Sequence, residues 1–365
     1  MSPEVVIMLV GSFVATGCAM VGCFLVLRKM ALLGDAISHA VLPGIVLAFL
    51  FTNSRAALPM VVGAGCLGVL TVFLVSVLNN TRRLREDAAI GVVFPALFSI
   101  GVILISRYAA QVDLDLDCVL YGEIAYTPWD TLTLWNHDLG PRALWVTGTT
   151  MLLIAFVVAL LYKELKITSF DPELAASLGF SPVLMHYVLM TSVSVVVVSS
   201  FEAVGAILVV AMLIVPPATA YLFTTRLSAM LLLSIGIGIF SAVAGYEVAH
   251  NWNCSIAGAM AAVAGFCFLL ALLFSPQGLV ARALRHRRLA LRLAGQLLML
   301  HLKEDAAPQP AYDLAHRFGW SRLRLARVVA PLEYADLVEV TDSGYRLTRA
   351  GLKNLESIGT QSLAH

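Results

Sequence analysis

The sequence predicts an all-α polytopic membrane protein of about nine transmembrane helices (eight possible), followed by a small cytoplasmic winged-helix α+β domain. Three observations predict it. Apolar residues make up 59% of the 365 and charged residues only 13%, where a soluble domain carries about a quarter charged. The apolar residues gather into blocks long enough to cross a hydrocarbon core about 30 Å thick, which takes roughly 20 helical residues. Past Ser275 that texture stops, and a basic, amphipathic stretch begins.

Nine blocks can be delimited: Val5–Leu27, Ala36–Phe51, Ala57–Leu78, Ala88–Ser106, Ala143–Tyr162, Pro182–Ser199, Ala203–Phe223, Ser228–Gly245 and Ser255–Phe274. The second is short. The first lacks the charged start, short apolar middle and small-residue cleavage site of a signal peptide, so it is expected to stay in the membrane. With the N-terminus outside, the inner segments hold Arg28, Lys29, Arg82, Arg83, Arg85, Lys163, Lys166, Arg226, Arg282, Arg285, Arg287 and Arg288, against Arg55, Arg107 and Arg142 outside. Twelve cations against three place the C-terminal tail in the cytoplasm. The long outer loop after the fourth block is acidic, with Asp113, Asp115, Asp117, Glu123, Asp130 and Asp138. Cys118 and Cys254 both fall in outer segments and are candidates to pair; no Cys-x-x-Cys occurs.

The domain plan is thus a membrane domain over 1–275, a basic linker over 276–288 and a soluble domain over 289–365. Residues 281–365 hold thirteen Lys or Arg and eight Asp or Glu. Leu289–Leu302 reads as an amphipathic helix, and Lys303–Pro310 breaks it. Ala311–Phe318 and Ser321–Ala335 form a helix pair around Gly319, with Ser321 as N-cap. Leu337–Val340 and Tyr345–Thr348 flank Asp342-Ser343-Gly344 as a hairpin, and a last helix covers about Arg349–Glu356. Helix, helix, helix, hairpin, helix is winged-helix order.

One segment concentrates chemistry inside an apolar block: Gly34-Asp35-Ala36-Ile37-Ser38-His39-Ala40-Val41-Leu42-Pro43-Gly44. Asp35 and His39 are four apart and share a helix face. A carboxylate and an imidazole side by side suit manganese, iron or zinc, and ionisable groups at a membrane span usually mark a pathway. The same spacing also fits an Asp N-cap followed by a histidine bonded to a neighbouring helix. A second segment, Phe170-Asp171-Pro172-Glu173-Leu174-Ala175-Ala176-Ser177-Leu178-Gly179, lies in an inner connection. Asp171 can cap a short helix with Pro172 first and Glu173 near its positive end. Ala175 and Ala176 leave a small flat face, and Gly179 ends the helix. Read alone, it also fits an ordinary loop.

Residues Leu27–Val46 resemble the signature stretch of the zinc/manganese/iron family of ABC-importer permeases, as does Val204–Ala220, with the run Val215-Pro216-Pro217-Ala218-Thr219-Ala220. The likeness spans about Val5 to Phe274. It implies a bacterial inner-membrane protein in which Asp35 and His39 face a metal path. It also implies that Asp171, Pro172, Glu173, Ala175, Ala176 and Gly179 form a coupling helix against a separate ATPase. No Gly-x-x-x-x-Gly-Lys-Ser/Thr loop is present, so ATP would be held by that partner. The chain is then a transport subunit rather than an enzyme, with no permanently bound cofactor and with Mn2+, Zn2+ or Fe2+ as cargo. An extracytoplasmic metal-binding protein would deliver the ion. One Asp/His pair supplies only two ligands where such metals usually take four or more, which points to a second permease copy or a paralogue. A metal-gated carrier or channel, or a membrane-anchored regulator, is the rival reading.

Weaker candidates complete the set. Glu202, between two apolar runs, is a candidate for the metal path or for a hydrogen-bonded turn. Glu123, Glu247 and His250 are candidates for the outer mouth, although Glu247 and His250, following the eighth block, equally fit a solvated loop pair. Pro216 and Pro217 are expected to kink the seventh span and free carbonyls. The tail resembles the DNA-binding domain of manganese- and iron-dependent repressors, an addition most such permeases lack. Arg322, Arg324 and Arg327 give its second helix a basic face. Tethered beside membrane lipids, the tail is expected to regulate or to contact the ATPase rather than to bind nucleic acid.

Overall fold

The computed structural model describes residues 2–30, 32–52, 57–80, 86–108, 124–134, 137–276, 278–304, 307–341 and 343–362. The chain divides into two compact units, Met1–Pro276 and Gln277–His365. In the first unit the long helices are α1 (Pro3–Leu27), α2 (Leu32–Thr52), α3 (Ala57–Asn80), α4 (Glu86–Tyr108), α5 (Arg142–Leu160), α8 (Pro182–Val204), α9 (Ala206–Phe223), α10 (Leu227–Trp252) and α11 (Ile256–Phe274). Short α6 (Tyr162–Phe170) and α7 (Pro172–Ser177) join α5 to α8, and a hairpin of β1 (Thr131–Leu134) and β2 (His137–Pro141) precedes α5. Among the described residues eight helices are long and apolar enough to cross a membrane, namely all these long helices but α2. α2 itself has 21 residues and starts four residues before its apolar block, so the segment expected to be short is of spanning length.

The core is arranged around α1, whose Val10, Val14, Ala15, Cys18, Val21 and Phe24 are buried. It packs against α5, α8, α9 and α10, while α2 lies among α3, α4, α8 and α9. Lipid offers no hydrophobic drive between helices, so close approach depends on small residues. Gly22 shows why. A Cβ there would collide with the carbonyl of Leu213 on α9. Pro217 has no N–H to take that carbonyl four residues back in the ladder. Pro216 and Pro217 lie buried inside α9, which continues through them. Gly44 and Gly63 make a similar contact where α2 crosses α3, and a Cβ on either would meet the other's backbone. The Pro43-Gly44 end of the signature stretch therefore has a packing role, Pro43 lying against Gly101 of α4.

α8 and α10 run well past the C-terminal ends of their apolar blocks. α8 continues past Ser199 to Val204, with the Ser199 hydroxyl bonded to the Val196 carbonyl, and the chain breaks only at Gly205, at φ 79°. Glu202 consequently sits in the last turn of α8, not between helices. α10 runs on to Trp252, ending at Asn253 in the left-handed region, so Glu247 and His250 lie on the helix instead of in a following loop. Polar side chains ended the apolar pattern without ending the backbone ladder.

The second unit orders α12 (Leu279–Glu304), α13 (Ala311–Arg317), α14 (Arg322–Tyr334), β3 (Val338–Thr341), β4 (Gly344–Leu347) and α15 (Arg349–Ser362). The stretch expected as a basic linker over 276–288 is helical from Leu279 on. Pro276 and Gly278 supply the break; beyond them Leu, Ala and Arg are good helix formers, and a run of arginines is no obstacle. Leu298, Leu302, Leu314, Leu325, Val328, Val329 and Val338 form this unit's core. Ser321 caps α14, accepting from the Arg324 amide at 3.3 Å. β3 and β4 pair antiparallel, and Gln309 exchanges two backbone hydrogen bonds with Tyr345 beside them.

Candidate functional site

α2 carries Asp35 and His39 one turn apart, hence on one helix face. Around them Ala36, Ile37 and Ala40 are buried, so this stretch of α2 lies within the bundle. Gly34 lies against the Leu213 side chain of α9, and Ile37 approaches Gly68 of α3. Glu123, Asp113, Asp115, Asp117 and Cys118 fall outside the described residues. Among the described residues no group of three or more His, Cys, Asp or Glu could hold a metal ion, and Cys254 is a free thiol.

At the end of the bundle where α5 begins and α8 ends, Arg142 reaches Glu202 at 3.1 Å, with the carboxylate 57% exposed. The pair borders a pocket of about 160 Å³ also lined by Tyr126, Thr127, Asp130 and Ser199. Glu202 is thus met by a cation from a helix start 60 residues away, which its apolar sequence neighbours gave no sign of. A wider pocket of about 550 Å³ is lined by Glu4, Tyr126, Trp129, Tyr246, His250 and Asn253, among others. His250 stacks on Tyr246 with ring centroids 6.1 Å apart. Glu247 is exposed three residues before His250 on α10, beside Tyr246, and does not itself line that pocket.

The opposite end carries α6 and α7. Asp171 caps α7, accepting from the Leu174 amide at 2.9 Å, with Pro172 as the first helical residue and Glu173 in the first turn. Gly179, at φ 87°, closes the helix, its amide bonding the Ala176 carbonyl and that of Phe180 bonding Ala175. Ala175 and Ala176 do not share a face: Ala175 is fully buried and Ala176 exposed, as a turn of about 100° between neighbours dictates. What the surface does present is apolar. Phe170, Leu174, Leu178 and Phe180 are all exposed around α7. Sequence reasoning missed this patch because it weighed the small residues and not the large ones beside them.

It missed α6 and Arg28 as well. Arg28, at the C-cap of α1, donates from Nε to Ser169 Oγ and from Nη2 to Thr168 Oγ1, each at 3.0 Å. Burial pushes the guanidinium below its ordinary pKa, although an arginine remains charged. In the sequence Arg28 counted only as one positive charge among the inner cations; its partners lie 140 residues on.

The sequence pattern of the ABC 3 transport family matches residues 5–275. The chain is 50% identical over 296 residues to the manganese transport system membrane protein MntD of Bacillus subtilis, a match covering 81% of this chain and all of that one. It is 42% identical over 359 residues to the zinc transport system membrane protein TroD of Treponema pallidum, covering 96% of this chain and 97% of that one. Since the second unit begins at Gln277, the latter likeness includes most of it. Among solved structures, PsaBC from Streptococcus pneumoniae in complex with Fab superposes with a TM-score of 0.64 at 31% identity, covering 76% of this chain and 93% of that chain.

Proposed function

The chain belongs to the ABC 3 transport family, and on that premise we propose that it is the permease of an ATP-driven importer bringing manganese or zinc, or iron by the same chemistry, into the cytoplasm. Relatives named for manganese and for zinc transport support that range of cargo. The observation that carries the reading is the placement of Asp35 and His39 one turn apart on α2, among α3, α4, α8 and α9. A carboxylate oxygen and an imidazole nitrogen suit borderline divalent ions. Two ligands are too few for such an ion, so a second permease, a copy or a paralogue, completes the path by bringing its own pair. Ion movement needs no covalent chemistry from this chain.

The N-terminus lies outside and the α6–α7 end inside, because the cations concentrate there. α7, with exposed Phe170, Leu174, Leu178 and Phe180 around it, is the surface on which the ATPase docks. The pockets at the far end, with Glu202 and His250, face the binding protein that delivers the ion. The second unit is a cytoplasmic winged helix, its helix–helix–helix–hairpin–helix order being that of such domains, and it serves regulation or ATPase contact. Arg322, Arg324 and Arg327 are exposed on α14 and available to an acidic protein surface or anionic lipid.

Uptake of radiolabelled Mn2+ and Zn2+ into proteoliposomes holding this chain with its ATPase and binding protein tests the proposal. Uptake should require ATP and collapse in Asp35→Ala and in His39→Ala. Uptake that continues without ATP would make the chain a carrier, and uptake unchanged in both variants would remove the site.

A further inference from the structure

We infer that Arg28 is a positioning residue that ties the helix bearing Asp35 and His39 to the ATPase-docking segment, so that movement of α7 is delivered to the metal path. The inference rests on the docking role proposed for α7. Its basis is a short, bonded route. α1 ends in a turn with Lys29 in the left-handed region at φ 61°. The Met30 amide bonds the Leu25 carbonyl at 2.9 Å and the Lys29 amide that of Val26 at 3.1 Å, which fixes the exit direction of the chain. α2 starts at Leu32, and Asp35 follows within its first turn. The turn that ends α1, Arg28–Met30, is thus built of hydrogen-bonded backbone, and Arg28 is its side-chain anchor.

The other half of the contact is equally constrained. Thr168 Oγ1 donates to the Glu164 carbonyl at 2.8 Å, and Ser169 Oγ donates to the Leu165 carbonyl at 2.6 Å. With each hydroxyl's proton committed to its own helix, its lone pairs are turned outward as acceptors. The two acceptors sit on consecutive residues, and Arg28 meets them with two nitrogens of one planar fork. Both partners are neutral hydroxyls, so these two contacts set geometry and do not themselves neutralise the charge. Ser169 is two residues from Asp171, the cap of α7. Thr168 is itself buried, so the contact is sheltered from water that would otherwise loosen it. Rigid elements joined by bonded contacts of this kind carry coupling between separated sites.

The test compares ATP hydrolysed with Mn2+ imported in proteoliposomes of the complete importer, for wild type, Arg28→Met, Arg28→Lys and the double variant Thr168→Val/Ser169→Ala. Hydrolysis should persist in Arg28→Met and in the double variant, while ATP consumed per ion rises about tenfold, inside the usual range of coupling between sites. Arg28→Lys keeps the charge but loses the fork and should fall between. An altered fold alone would lower both rates together and leave their ratio unchanged. Arg28→Lys, which keeps a charged donor near both hydroxyls, keeps the test open should Arg28→Met or the double variant fail to assemble. A ratio equal to wild type in every variant that assembles overturns the inference. Ala176→Arg, on the exposed side of α7, separates this from the docking reading. If the ATPase still co-purifies with that variant, the docking reading falls, whatever Arg28 does. If it no longer does while the Arg28 ratios stay normal, docking stands and the anchor falls.

Discussion

Arg28 and Arg142 close opposite ends of one helical bundle and are satisfied by different chemistry. Arg142 meets a carboxylate, Glu202, at a site where that carboxylate is 57% exposed. Arg28 meets two neutral hydroxyls, one of them buried, on a helix reached 140 residues later. An exposed ion pair neutralises charge but is screened by water and salt, and it holds geometry weakly. A sheltered guanidinium on two fixed acceptors does the reverse: neutral hydroxyls leave its charge alone and specify its position. The comparison separates a loosely closed end from an end of specified geometry, which is the difference that the proposed ion entry and coupling require.

The sharpest break of that contrast is Thr168→Val with Arg28 left in place. The guanidinium would keep its burial and lose an acceptor, which costs about 2–3 kcal/mol for a charged group. Thermal unfolding of the detergent-solubilised protein should show the largest fall of this set. Arg28→Met removes donor and charge together, so nothing charged is left unmet. Its loss should be smaller, about 1–2 kcal/mol by the same measurement, even though its effect on coupling is as great. Asp171→Ala removes the α7 cap and should cost about 1 kcal/mol, seen chiefly as weaker co-purification with the ATPase. At the other end, a double-mutant cycle of Arg142→Gln and Glu202→Gln should return a coupling energy of about 0–1 kcal/mol that fades with added salt. A value as large as that at Thr168 would erase the contrast.

Much of the membrane unit was legible because apolar blocks and helices coincide in lipid, where the backbone must satisfy itself. The helix ends were less so. Glu202 and Glu247 ended the apolar pattern, yet the ladder continued to Val204 and Trp252. Arginines between Leu279 and Leu289 read as a linker although they continue α12. Of the candidate site, the chemistry and spacing of Asp35 and His39 were readable, since one helix carries both. So was the Asp171 cap, a local interaction over three residues. Arg28 with Thr168 and Ser169, and Arg142 with Glu202, were not readable, because each contact joins elements that only tertiary packing brings together. Ala175 and Ala176 were misjudged as one face, for the simpler reason that neighbours in a helix diverge.

The most direct test of the central claim, a metal path at Asp35 and His39, is the amount of Mn2+ held by the purified importer, read from its electron paramagnetic resonance spectrum. Wild type should hold protein-bound Mn2+ with a spectrum distinct from the aqueous ion. Asp35→Asn and His39→Gln should each return that spectrum to the aqueous form while the complex stays assembled. Bound Mn2+ with an unaltered spectrum in both variants would place the ion elsewhere and contradict the account.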